Sequence, residues 1–190
     1  MGVFLMLVLG AMAVILIYGI MIYNNLVALK HNVGKAWANI DVLLKQRHDE
    51  LPKLVETCRQ YMKFEQDTLE RVMKARAQVQ TARESQNIPA LGQAEGALRL
   101  GLGNLFAVAE AYPDLKTNET FQHLQGRITQ LEDAIADRRE FYNESVNVNN
   151  VRIEQVPDNI VAGMFVFKPF ELLEFQAEEK ADVDVKKLFS

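Results

Sequence analysis

The sequence is poor in the residues that most site chemistry requires. One cysteine, Cys58, in 190 residues excludes a disulfide framework and suits a reducing compartment. It falls in an apolar helical stripe, where cysteine behaves as a small hydrophobe, not a nucleophile. Three histidines, His31, His48 and His123, are too few and too scattered for a metal centre. His48 is followed by Asp49 and Glu50 but by no second histidine at the HExxH offset, and Glu119 with His123 is a single pair of the wrong spacing for a di-iron bundle. Almost no stretch alternates as a strand does, so no glycine-rich phosphate loop follows one. A net charge of −4 without a basic face excludes nucleic acid as a partner. The expectation is a non-enzymatic protein with no cofactor and no metal.

One long apolar run is present. Positions 3 to 22 read VFLMLVLGAMAVILIYGIMI, and a helix of that length spans about 30 Å, the thickness of a hydrocarbon core. Tyr18 and Tyr23 stand near its end, where amphipathic rings favour the interface, and Asn24 and Asn25 return the chain to water. Ala11-Met12-Ala13 imitates a signal-peptide cleavage site, but no Lys or Arg precedes the run and it continues for nine residues beyond Ala13. A permanent single-pass anchor over 1–23 fits better. Lys30, Lys35, Lys45 and Arg47 follow it, so the positive-inside rule leaves the N-terminus outside and residues 24–190 in the cytoplasm. At this length the remainder is one domain with an appendage.

The hydrophobic period is helical from the anchor to about Val151. Val33, Trp37, Ile40 and Leu44 recur at steps of four, three and four, a seam spacing of packed helices. Pro52 either starts a new helix capped by Asp49 or sits in one that continues with a kink. A second helix is expected over 53–86, with Leu54, Cys58, Met62, Leu69, Val72 and Val79 on its stripe. A third, over about 88–112, holds Gly92, Gly96, Gly101 and Gly103, which suggests close approach of a neighbouring backbone within one subunit or between two. Thr117 or Asn118 caps a fourth over about 119–151.

In that fourth helix Phe121, Ile128, Ile135 and Tyr142 recur every seven residues, and so do Gln125, Glu132, Arg139 and Val146. The candidate core is therefore Trp37, Ile40, Leu44, Ile128, Ile135 and Tyr142. A polar seam must find partners, and Asp41, Lys45 and His48, with Arg47 beside them, can supply these across an antiparallel bundle. The seam residues are Asp41, Arg47, His48, Gln125, Glu132 and Arg139. They either fix register as a satisfied network or bind a ligand through Asp41, Arg47, Glu132 and Arg139. Beyond Val151 the segment VPDNIVAGMFVFKPFELLEF reads as extended or irregular, and its Phe165, Phe167, Phe170 and Phe175 must be covered by something. An acidic tail closes the chain, so 152–190 forms the appendage.

Three blocks carry a resemblance: YNNLVALKHNVGKAWANIDVLLKQRHDELPKLVETC, NLFAVAEAYPDLKTNETFQHLQGRI and EDAIADRREFYNESVNVNN. From Tyr23 to about Phe170 the chain resembles the LemA family of bacterial membrane proteins. The resemblance implies an all-α fold in which one N-terminal transmembrane helix precedes an up-and-down antiparallel bundle of about four helices over 24–151. It also implies a non-enzymatic role; relatives occur in magnetosome formation, and others are encoded near a membrane zinc metalloprotease of the HtpX type. The tail departs from the glycine-, serine- or phenylalanine-rich extensions of many relatives. Gly10 is followed four residues on by Val14, so the anchor lacks a small-xxx-small face, and any homo-oligomer must form through the bundle and aromatic tail. Two roles are expected in order: a self-assembling membrane scaffold, then an adaptor for a membrane protease partner.

Overall fold

The computed structural model describes residues 1–174, and among them every regular element is an α-helix. In chain order these are α1 (Gly2–Tyr61), α2 (Gln66–Glu84), α3 (Ile88–Ala109), α4 (Pro113–Lys116), α5 (Glu119–Glu154) and α6 (Asp158–Met164). Phe175 and the acidic tail lie outside the described residues. Contacts divide the chain into two compact units. One comprises Met1–Ile40 and Arg138–Leu172; the other comprises Asp41–Asp137 with Leu173 and Glu174.

The second unit is an up-and-down antiparallel bundle built from the later part of α1, α2, α3 and the first part of α5. On α1 and at the start of α5, Arg47 meets Glu132 and Tyr61 meets Asn118, so the numbers run in opposite directions. On α1 and α2, Asp41 meets Arg83 and His48 meets Arg76, again antiparallel. Ile128, Ile135, Leu44, Leu51 and Leu54 are all buried, as steps of three and seven require.

Pro52 lies inside α1, and the helix continues through it to Tyr61. A proline has no N–H, so the carbonyl of His48, four residues earlier, loses its helical donor. The Nε of Arg76 on α2 donates to that carbonyl instead, at 2.9 Å. A side chain from a neighbouring helix thus replaces the missing backbone bond.

The helix expected over 53–86 is two helices. Residues up to Tyr61 complete α1, the chain turns at 62–65, and α2 begins at Gln66. The turn holds neither glycine nor proline, and the seven residues from Met62 to Leu69 preserve the apolar register across it, so periodicity cannot see the break. Lys63 and Phe64 are exposed there, while the Glu65 carbonyl accepts from the N–H groups of Thr68 and Leu69 and starts the new helix.

Asn87 caps α3 by accepting from the Ala90 N–H at 3.0 Å, and Asn118, not Thr117, caps α5 by accepting from Phe121 N–H at 2.9 Å. Close approach falls on two of the α3 glycines. A Cβ at Gly92 would collide with the backbone carbonyl of Glu174, and one at Gly101 would meet Val72 of α2 at 3.5 Å; at Gly103 it would meet open space.

In the first unit, the opening turns of α1 are exposed on every side. α1 contains an 18-residue window of mean hydropathy 2.7, none of it buried, and is long and apolar enough to cross a membrane. Burial begins at Ile22 and Leu26, which pack with Ala162 of α6. Further along, Trp37 is half-buried, not enclosed, and its ring meets Tyr142 of α5 edge-on at 5.8 Å between centroids. Ile40 and Tyr142 are buried. The segment after 151 is not irregular throughout: α5 extends to Glu154 and α6 follows. Asp158 at the head of α6 is buried and pairs with Arg152 at 2.7 Å, which permits a helix where the sequence pattern shows only prolines and rings.

Candidate functional site

Steps of three and four along α1 bring Leu44, Arg47, Leu51 and Leu54 onto one buried stripe, so a guanidinium occupies a place meant for an apolar side chain. Arg47 is 1% exposed. Its Nη1 donates to Glu132 of α5 at 2.5 Å, and its Nη2 donates to Glu95 of α3, itself 2% exposed. Glu132 also faces Arg99 of α3 at 3.8 Å. Two cations and two carboxylates thus meet across three helices with no net charge. Burial opposes the charge on Arg47, yet Glu95 and Glu132 outweigh it and hold its pKa above the ordinary arginine value. Burial pushes the Glu95 carboxyl up, and Arg47 only partly offsets this. The gap bounded by Leu44, Arg47, Leu51, Val79 and Leu98 has no room for a water molecule.

The remaining seam residues divide. Asp41 pairs with Arg83 of α2 at 2.9 Å, so its partner lies on α2 and not on α5. His48 receives the Nη2 of Arg76 on its Nε2 at 2.6 Å, which requires a neutral ring protonated at Nδ1. Burial and then the Arg76 charge hold its pKa below the ordinary histidine value. Gln125 and Arg139 are half-buried, and Lys45 is exposed. Cys58 is buried, and desolvation pushes its thiol to about 12, so it is not a thiolate near neutral pH. Among the described residues no group of three or more His, Cys, Asp or Glu is placed to hold a metal.

Sequence reasoning passed over Glu95, Arg76 and the pair Arg152 with Asp158. Glu95 was within reach: Leu91, Glu95, Leu98 and Leu102 advance by four, three and four, so a charge interrupts the α3 stripe just as Arg47 interrupts that of α1. Arg76 and Asp158 carry no such signal.

The aromatic segment forms a second feature, in the first unit. Tyr23 meets Phe165 at 4.6 Å and Phe167 at 5.9 Å between ring centroids. Asn150 of α5 clamps Phe170 through both of its backbone groups: Nδ2 donates to the carbonyl at 2.9 Å, and Oδ1 accepts from the N–H at 2.9 Å. Tyr142 donates to the Glu171 carbonyl at 3.0 Å. A cavity of about 530 Å³ lies along this segment, between Tyr23, Lys30, His31, Asn149, Phe167 and Lys168 among others.

Comparison with known proteins bears on both features. Residues 36–186 match the model of the LemA family, which takes in the α1–α3–α5 charge cluster and the clamped segment. The chain is 35% identical over 96 residues to the magnetosome proteins MamQ 1 and MamQ 2 of Paramagnetospirillum magneticum, covering 50% of this chain and 35% of each relative. It is 35% identical over 82 residues to the magnetosome protein MamQ of Magnetospirillum gryphiswaldense, covering 43% of this chain and 30% of that one. The chain therefore spans about a third of the length of these curated relatives. With most of its length matched, and its charge cluster and aromatic segment inside the match, the chain belongs to the LemA family.

Proposed function

We propose that this membrane-associated protein is a non-enzymatic scaffold, anchored once in the bacterial inner membrane with its N-terminus outside and its helical body in the cytoplasm, and that it assembles with copies of itself. The observation that carries the reading is the Arg47–Glu95–Glu132–Arg99 cluster. Arg47 and Glu95 are buried and spend their charges on each other and on half-buried Glu132, which suits a register-fixing network better than a ligand site. The unburied apolar stretch of α1 supports the anchor, and Lys30 and Lys35 just beyond it support the orientation. The kinship with magnetosome proteins supports a role in organising membrane or its proteins.

The test is mass measurement of the full chain in native nanodiscs, combined with crosslinking in intact membranes. A scaffold gives multiples of the 21.6 kDa chain and crosslinks mainly to itself. A clean monomer overturns self-assembly. Capture chiefly of a different membrane protein, such as a protease, replaces the scaffold with an adaptor.

A further inference from the structure

Residues 156–167, between α5 and the Asn150 clamp, expose an apolar edge with no exposed charge. Val156, Ile160, Met164, Phe165 and Val166 are each more than half exposed. Ile160 and Met164 stand four apart on α6 and so share a side, with Phe165 and Val166 directly after them. From 156 to 167 the only ionisable side chain is Asp158, and it is turned inward to Arg152. Val166 has φ 54°, a conformation that favours glycine, yet a β-branched residue occupies it with its side chain outward. An apolar patch kept bare in this way calls for a partner.

Its position names the partner. Ala162 covers Ile22, the last residue of the apolar run, so α6 reaches the level at which that run ends. Phe165 and Phe167 surround Tyr23, the ring that marks the end of the membrane-crossing stretch. Next to these rings, exposed Lys30 and Lys168 line the adjoining cavity. Apolar side chains, then aromatic rings, then lysines is the order in which a protein meets acyl chains, carbonyl layer and phosphates.

We infer that the edge formed by α6 and residues 165–166 is a second membrane contact, seated in the interfacial layer of the bilayer beside the emerging α1 helix. This rests on α1 being the anchor. It fixes the first unit to the lipid at two points, α1 and the α6 edge, instead of at α1 alone.

Depth-dependent quenching of tryptophan in full-length protein tests this. In a Trp37→Phe background, single reporters are introduced as Phe165→Trp, Ile160→Trp, Ile15→Trp and Val42→Trp, in vesicles of phosphatidylcholine and phosphatidylglycerol carrying spin-labelled lipid. The expected result is strong quenching at 165 and 160 by labels near the headgroup, quenching at 15 by labels deep in the acyl chains, and none at 42. Quenching at 15 with 165 and 160 as dark to lipid as 42 overturns the second contact alone, and leaves that edge to a protein partner. Absence of quenching at 15 overturns the anchor and the inference together. If Trp37→Phe impairs folding, Phe165→Cys and Ile160→Cys labelled with an environment-sensitive dye give the same readout, because Cys58 is buried.

Discussion

Arg47 shows how a charge can be kept where an aliphatic residue would fit. Removing a buried charge from water costs several kcal/mol, and two carboxylates are needed to offset it. Truncating one partner leaves the others unpaired, so Arg47→Ala is expected to cost about 3–5 kcal/mol in urea unfolding. Combining Arg47→Met with Glu95→Leu should restore much of that loss, since an apolar layer substitutes well for a buried pair, and Glu132 keeps Arg99. If the double variant is as unstable as Arg47→Ala, the cluster does more than fix register.

His48 gives a pH dependence whose sign follows from its depressed pKa. Above the unfolded value of about 6.5 the ring is neutral in both states and contributes nothing. Below it the unfolded chain takes up the proton first, so stability falls as pH drops until the folded ring titrates. Urea midpoints should therefore decline from pH 7 to pH 5, and His48→Gln should flatten that part of the decline. An identical decline in the variant would assign it to other groups. At this scale the sequence was legible where a charge interrupts an apolar stripe. Glu132 was visible as a polar position in a seven-residue repeat and Arg47 only as a neighbour of its expected partners, whereas Glu95 could have been read as a charge in an apolar stripe. Arg76 was not, because its function depends on which helix lies beside a carbonyl freed by a proline.

That carbonyl is an element-scale matter. α1 continues through Pro52 because Arg76 supplies the donor that the proline lacks. Arg76→Met should cost about 1–3 kcal/mol by leaving the His48 carbonyl unsatisfied. Adding Pro52→Ala restores a backbone donor and should recover part of the loss; strictly additive effects in the cycle would disprove the link. The α3 glycines separate in the same spirit. Gly103→Ala should stabilise by up to about 1 kcal/mol, since a helix prefers alanine and nothing stands in the way. Gly92→Ala should destabilise, because the Glu174 carbonyl occupies the place of the new methyl. Thermal melts of the two variants moving in the same direction would count against this difference. Helix existence and period were plain in the sequence, whereas the break at 62–65 was hidden by an unbroken apolar register, and α6 by prolines and rings that pointed to irregular chain.

At the scale of the whole molecule, two facts set what the protein can be. The start of α1, ahead of Ile22, offers an apolar surface that no other described part of the chain covers, and the buried charge of Arg47 beyond it is matched by Glu95 and Glu132. The first suits a bilayer and the second suits a body that holds shape. The all-α bundle behind an apolar helix was legible from composition and period, because both depend on local spacing. The three-way meeting of Arg47, Glu95 and Glu132 was not, because it depends on how three helices are arranged.

The central claim is that the apolar start of α1 stays in the membrane and tethers the folded body there. Extraction of membranes with alkaline carbonate, followed by N-terminal sequencing of the retained chain, tests it directly. The account predicts full-length protein in the membrane pellet with Ala11-Met12-Ala13 still attached; a soluble chain beginning after Ala13 would contradict it.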